Sequence, residues 1–271
     1  MQNSSFENRI KLTPYYFAYM DILGAKKHIE SEESENYLNK IQELYAETIG
    51  MIKPNVDNIF YLRNTKFKIF SDNIVIAIPK EIYMDTSLNA TKSYYIMMFA
   101  AFFQILAIKH SFLVRGSIAV DDLYIDDDFV YGKALTKSYK LESEIAIYPR
   151  IIINPKDIHL FTKSDTQQDV IKKDDANIYY INPFESYFIY INKSVVDREL
   201  NSIKTNLQDM LKETNDNKIN QKVCWFINMY NQFCKDNYFE QFVIDINDYP
   251  YPYKKIEHTY RGYARELENS K

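Results

Sequence analysis

Residues 68–77 read KIFSDNIVIA, and the reading of this stretch decides the fold. Its flanks, KFKIF before and NIVIAIP after, are rich in β-branched and aromatic residues, and Ser71-Asp72-Asn73 between them is a turn signature. Lys66 to Pro79 is therefore expected to form a β-hairpin. Asp72 at its tip has two readings: a residue that turns favour, or, with Lys68 four positions earlier, a group that carries chemistry. What the rest of the chain brings near the hairpin decides between them.

Upstream, YYFAYMDIL (15–23) reads as a buried strand ending in Asp21. Gly24 then opens a helix predicted over 25–49, with Ile29, Tyr37, Leu38, Ile41, Leu44 and Tyr45 on its apolar face and the charged run Glu30 to Glu35 as its solvated start. Downstream, YYIMMFAAFFQILAI (94–108) is apolar except for Gln104. At about 15 residues it falls short of the ~20 that a bilayer needs and reads as a buried helix, with a subunit interface as its second cover. SFLVRGSIAVDDLYI (111–125) follows as a strand, DDD as a turn, FVYG as a short strand, 133–144 as a helix and YPRIIINP (148–155) as a strand. Hairpins alternating with helices indicate an α+β sheet covered by helices, not a doubly wound parallel sheet. Beyond Pro155, 156–176 is polar and expected to be a loop, NIYYINPF a last strand, and 195–212 and 218–237 helices. The tyrosine-rich 248–271 shows no period. With no linker in sight, 1–155 is expected to be the core and 156–271 an extension packed on it, not an independent domain.

The chain has 271 residues, 46% of them apolar, enough for one sizeable core. A formal net charge of −4 gives no general attraction to nucleic acid or acidic lipid, so an anion site must be built from local cations. Cys224 and Cys234 lack zinc or disulfide spacing, and the opening MQNSSFENRIKLTP has no apolar signal region. A cytoplasmic protein that neither binds nucleic acid nor inserts into membrane is the expectation. His28, His110, His159 and His258 share no ligand spacing.

Asp21 ends one strand and Asp72 tips the hairpin. If neighbouring strands bring them together, two ionised carboxylates about 4 Å apart repel by ~4 kcal/mol at an effective dielectric of 20, and a divalent cation converts that repulsion into affinity. Hard oxygen ligands without His or Cys favour Mg²⁺ or Mn²⁺, sites that commonly hold phosphates too. DILGAKK adds a helix start after the first acid, a place for phosphate oxygens.

Four blocks in order resemble the class III nucleotidyl cyclases: FAYMDILG their first strand and glycine, KFKIFSDNIVIA their hairpin with its second metal aspartate, LVRGSIAV the following strand, and VYGKALTKSYKLE their catalytic helix. Together they cover 17–142. DILG, FSDNIVIAIP, RGSIAVDDLYIDDDFVYGKAL and YPRIII are most similar to the pyrimidine cyclases of bacterial anti-phage (Pycsar) systems. The resemblance implies a ferredoxin-like βαββαβ core with a mostly antiparallel sheet and a C-terminal helical extension. It implies synthesis of 3′,5′-cyclic UMP from UTP with release of pyrophosphate, CTP being the nearest competitor. It further implies a head-to-tail homodimer with sites across the interface, and a separate effector protein activated by the product.

Carried over residue by residue, the resemblance makes Asp21 and Asp72, with the backbone carbonyl of Ile22, the ligands of two divalent ions per site. Leu23, Gly24, Ala25 and Lys26 would face phosphate and Lys68 the base, with Phe17 beside the substrate; Arg115 is a further candidate for phosphate. The family's ribose-orienting asparagine and transition-state arginine correspond to Thr136 and Lys140, and its adenine-reading aspartate to Phe129. Lys140 can still act as a compact cation, without arginine's planar fork. Lys68 and Lys140 each keep a plain reading as solvated lysines. Arg115 can equally serve a structural ion pair, and Asp126 to Asp128 read as a turn. Loss of the purine-reading acid argues against ATP. The rival from another class is a non-catalytic nucleotide-sensing domain.

Overall fold

The computed structural model describes residues 10–81, 86–213 and 216–248. The first nine residues and the tyrosine-rich stretch from 249 onward lie outside them. β1 (Thr13–Ile22) is an inner strand of the sheet. The hairpin expected from the sequence is present as β2 (Lys66–Phe70) and β3 (Asn73–Pro79), turning through Ser71 and Asp72, with Ser71 at φ 57°. β3 runs antiparallel to one side of β1 and β4 (Val114–Ile125) antiparallel to the other. The order β2-β3-β1-β4, with helical crossovers after β1 and after β3, is the ferredoxin-like βαββαβ arrangement. β5 (Val130–Gly132) folds back on the end of β4, and β6 (Ile151–Ile153) adds a parallel neighbour to β4. Gly116 is required where β4 crosses β1, because a Cβ there would lie 2.5 Å from the carbonyl oxygen of Tyr19.

Strand alternation gives the sheet two unlike faces. Tyr16, Ala18, Met20 and Ile22 of β1 enter the large core. Phe17 and Tyr19 point the other way, joining Val75, Ala77, Leu123 and Ala134 in a smaller cluster. The predicted helix over 25–49 is in fact two: α1 (Ala25–Ile29) and α2 (Ser34–Asn58). Ser31 breaks the run, its hydroxyl donating to the His28 carbonyl at 2.8 Å and accepting from the Glu33 amide at 3.3 Å. The acidic run thus forms a turn and the start of α2, and α2 continues past Gly50 and through Pro54.

α3 (Thr86–Lys109) is longer than its apolar run suggested, and by length and composition it could cross a membrane. It is buried from Ile96 to Ile108, without a second subunit. The sheet, α2 and two later helices cover it, so a subunit interface is not needed as its cover. The one polar residue between Ile96 and Ile108 is satisfied on one side, Gln104 Nε2 donating to the carbonyls of Val114 (3.1 Å) and Pro149 (2.8 Å). α4 (Lys133–Glu144) packs on the opposite face, against β1 and β4.

Beyond Pro155 the expected loop contains α5 (Asp165–Val170) and β7 (Ile171–Lys173). A capping box fixes α5: Ser164 accepts from the Gln167 amide while the Gln167 side chain accepts from the Ser164 amide. NIYYINPF divides into β8 (Tyr179–Ile181) and α6 (Pro183–Phe188), where Asn182 caps and Pro183 opens the helix. β8 and β7 extend the same sheet beyond β6. α7 (Val196–Glu213) and α8 (Asn217–Asp236) complete the α3 side, and Leu200, Ile203, Phe226 and Tyr230 belong to the same core cluster as β1.

Candidate active site

Register puts Phe70, Asn73, Asp21 and Arg115 in one row across β2, β3, β1 and β4, on the α4 face. The next row, about 7 Å along the strands, holds Lys68, Val75, Tyr19 and Ser117. α4 keeps step with β4: Ser117 Oγ donates to the Ser138 carbonyl (2.8 Å), and one helical turn on, Glu142 meets Arg115. Four helical residues rise about 6 Å, close to the two-residue step of a strand. The end of β1 and the hairpin turn are tied by the Ile22 amide, which donates to the Asp72 carbonyl at 3.2 Å.

Three carboxylates and one guanidinium converge here. Arg115 Nε lies 2.5 Å from Glu142 Oε1, an ion pair lacking hydrogen-bond geometry, and 3.4 Å from Asp21 Oδ2. Burial, above all, pushes the Asp21 carboxyl up to about 7; Glu142 and Asp72 add to the rise and Arg115 opposes it. Burial likewise raises Glu142, against the pull of Arg115. Asn73 Nδ2 donates to Asp72 Oδ1 (3.3 Å), and its own carbonyl oxygen accepts from the Tyr19 hydroxyl (2.5 Å). Tyr19 in turn lies under Phe70 and Tyr139. Glu142 and Asn73 were not singled out from sequence, although KLE in the helix block and the Asp-Asn pair were the signals for them.

The remaining predicted residues divide. Phe17 is fully enclosed in the smaller cluster and presents no surface to a ligand. Leu23 already donates its amide to the Leu113 carbonyl (2.8 Å), so it does not offer that donor to phosphate. Gly24 adopts φ 84°, a left-handed conformation suited to glycine, and leads into α1, whose first amides have no acceptor within the helix. Ala25 is buried, and Lys26 is exposed, its long contact with Glu30 (3.8 Å) contributing little. Asp126 accepts from the Tyr124 hydroxyl (2.5 Å) and the amides of Asp128 and Phe129, so the Asp126–Asp128 run is a turn. Lys68 lies near enough to help hold the Asp126 carboxyl below its ordinary range, after the larger effects of Tyr124 and the turn amides. Phe129 is exposed and stacks on Tyr131. Thr136 and Lys140 lie on the outer face of α4, and Lys140 forms no ion pair among the described residues.

Among the described residues no three His, Cys, Asp or Glu side chains form a ready-made metal cage. The donors Asp21 and Asp72 nevertheless fit a hard divalent ion: the Ile22 amide ties the hairpin turn to the end of β1, the two carboxylates are close enough for their charges to act on each other, and the lone local guanidinium is shared with Glu142.

No protein-family model matches the chain, and no curated protein matches it. Among solved structures the chain is similar to the adenylyl cyclase CyaB from P. aeruginosa, at 14% identity and a TM-score of 0.45, over 63% of this chain and 94% of that one. It is also similar to a class III adenylyl cyclase-like ATP-binding protein from Pseudomonas aeruginosa, at 11% identity and a TM-score of 0.43, over 83% of this chain and 44% of that one. At these values neither likeness bears on the chemistry, for which the residues above are the basis.

Proposed function

We propose that the chain is a divalent-metal-dependent nucleotide cyclase of the class III kind. The observation that carries the reading is the meeting of Asp21, at the end of β1, with Asp72, at the hairpin tip, beside Arg115 at one end of the sheet. Asp21, Asp72 and the Ile22 carbonyl would hold two Mg²⁺ or Mn²⁺ ions. Such ions lower the pKa of the ribose 3′-hydroxyl and neutralise triphosphate charge. In the reaction the 3′-hydroxyl gives up its proton to solvent as its oxygen bonds to the α-phosphorus, the bond from that phosphorus to the oxygen bridging to the β-phosphate breaks, and pyrophosphate leaves with that electron pair. Gly24, Ala25, Lys26 and Arg115 are the chain's contacts for phosphate.

Thr136 and Lys140 lie on the solvent side of α4, which supports a homodimer in which they serve the partner's carboxylates. The exposed aromatic residues Phe129, Tyr131 and Tyr139 give that second copy an apolar surface. For the base we favour a pyrimidine, UTP before CTP: Phe129 stands where a purine-reading acid would be, and Lys68 is the polar candidate. Cyclic UMP would then act in the cytoplasm on a separate effector in anti-phage defence, an assignment supported by the sequence resemblance. Residues 156–271 are read as an extension of the catalytic core at 1–155.

Thr136 and Lys140 in place of Asn and Arg favour the alternative of a nucleotide sensor without turnover. Incubating the purified protein with each of the four ribonucleoside triphosphates and Mn²⁺, with products resolved by mass, tests both. A cyclic pyrimidine monophosphate, lost in Asp72→Asn, is the expected result; binding without product from any triphosphate establishes the sensor.

A further inference from the structure

A cleft of about 620 Å³ opens beside the Leu23–Gly24 turn, between the start of the catalytic core and α8. Its cations are Lys27 and Lys40 from the core and Lys218 and Lys222 from α8. Its acids are Glu33, Glu213 and Asp216, and Asp216 caps α8 by accepting from the Lys218 amide (2.8 Å). Lys218 and Lys222 are four residues apart, so they share one face of α8. Lys218 is exposed, whereas Lys222 is half-buried and has no hydrogen-bond or ion-pair partner among the described residues. It also lies close enough to Arg115, Asp216, Asp21 and Lys218 for their charges to act on it, the two carboxylates favouring its charge and the two cations opposing it.

A partly desolvated ammonium with no carboxylate in contact is costly, and an arriving anion relieves that cost. The anion that this place receives, if Asp21 and Asp72 hold a metal-bound nucleotide, is the polyphosphate. We propose that α8, outside the βαββαβ core, supplies Lys222, with Lys218 behind it, as a phosphate contact from the same chain, binding the β- and γ-phosphates and the pyrophosphate they become. The inference rests on the metal–nucleotide reading above and adds to it the role of the C-terminal helices: they close the phosphate end of the site.

The probe is inorganic pyrophosphate, titrated calorimetrically into the full chain with Mn²⁺ present. Lys222→Met, which keeps the apolar stem and removes the charge, is expected to weaken binding about tenfold, and Lys222→Arg to hold it within about threefold. Exposed Lys218→Met, which cannot disturb packing, is expected to weaken it about twofold, and the affinity of both Met variants to depend less on salt than wild type. Lys222→Met and Lys218→Met binding as wild type does, while Asp72→Asn binds more weakly, overturns this inference and leaves the cyclase reading intact. Equal binding by wild type and Asp72→Asn overturns the metal reading itself, and the inference with it; so does a wild-type chain that binds no pyrophosphate.

Discussion

Replacing Asp21 by Asn should stabilise the metal-free protein at alkaline pH, although it removes a proposed ligand. The Asp21 carboxyl is raised from 3.8 to about 7, so the folded protein holds a proton that the unfolded chain releases. Stability associated with that proton is fully present below pH 4 and is lost as pH rises to about 7. The gap corresponds to at most ~4 kcal/mol at pH 8. Solvent reaches the side chain, 18% exposed, and Glu142 shares the same protons, so roughly half, ~2 kcal/mol, is the expected gain. Arg115 keeps Glu142 as its partner in the variant. Urea unfolding in chelator should therefore give Asp21→Asn a higher midpoint at pH 8 and equal midpoints near pH 4. Mn²⁺ should reverse the order at pH 8 by stabilising only the wild type. A wild type whose metal-free stability rises between pH 5 and 8, or an Asp21→Asn protein weaker than it at pH 8, would refute the reasoning.

Glu142→Gln removes the largest charge that raises Asp21, and the pH midpoint for Mn²⁺ binding should move down, read by calorimetry across a pH series. Gly116→Ala sets a methyl against the Tyr19 carbonyl and should destabilise by about 2–3 kcal/mol in urea unfolding, without altering which nucleotide is bound. Asp72→Asn should reduce turnover at least ~10³-fold while leaving thermal melting in chelator within a few degrees of wild type. Mixing it with Lys140→Ala, each inactive alone, should restore about a quarter of wild-type activity, since half the dimers are mixed and each carries one intact site. No recovery would place Lys140 outside the partner's site.

The hairpin, the strand ending in Asp21 and α4 were legible because each carries a local signal, alternation or helical period between turn residues. The split between α1 and α2 was hidden because Ser31 and Glu33 suit a helix start as well as a turn; their side-chain bonds decide it. Ser164 and Gln167 did carry a readable capping box, masked by the polarity of the residues around it. The apolar stretch 94–108 showed that α3 is buried but could not show by what. Glu142 becomes meaningful only through the step between α4 and β4, and Lys222 only through a tertiary approach of α8, which no spacing in the sequence encodes.

Charge balance at the sheet end gives the most direct view of what the site is built to hold. Asp21, Asp72 and Glu142 face one guanidinium, Arg115, with the Lys222 ammonium farther off. A purely structural ion pair would match acid to base; here the surplus is absorbed by protonating Asp21, which a metal ligand must give up. Divalent metal binding at pH 6 should therefore expel close to one proton, because a carboxyl with its pKa near 7 is about nine-tenths protonated there. At pH 8.5 the same binding should release almost none. Calorimetric titration of Mn²⁺ in two buffers of different ionisation enthalpy measures the number directly. Heats independent of buffer at pH 6 would mean that Asp21 is not the group the metal displaces a proton from, and the two-carboxylate site would lose its main electrostatic support.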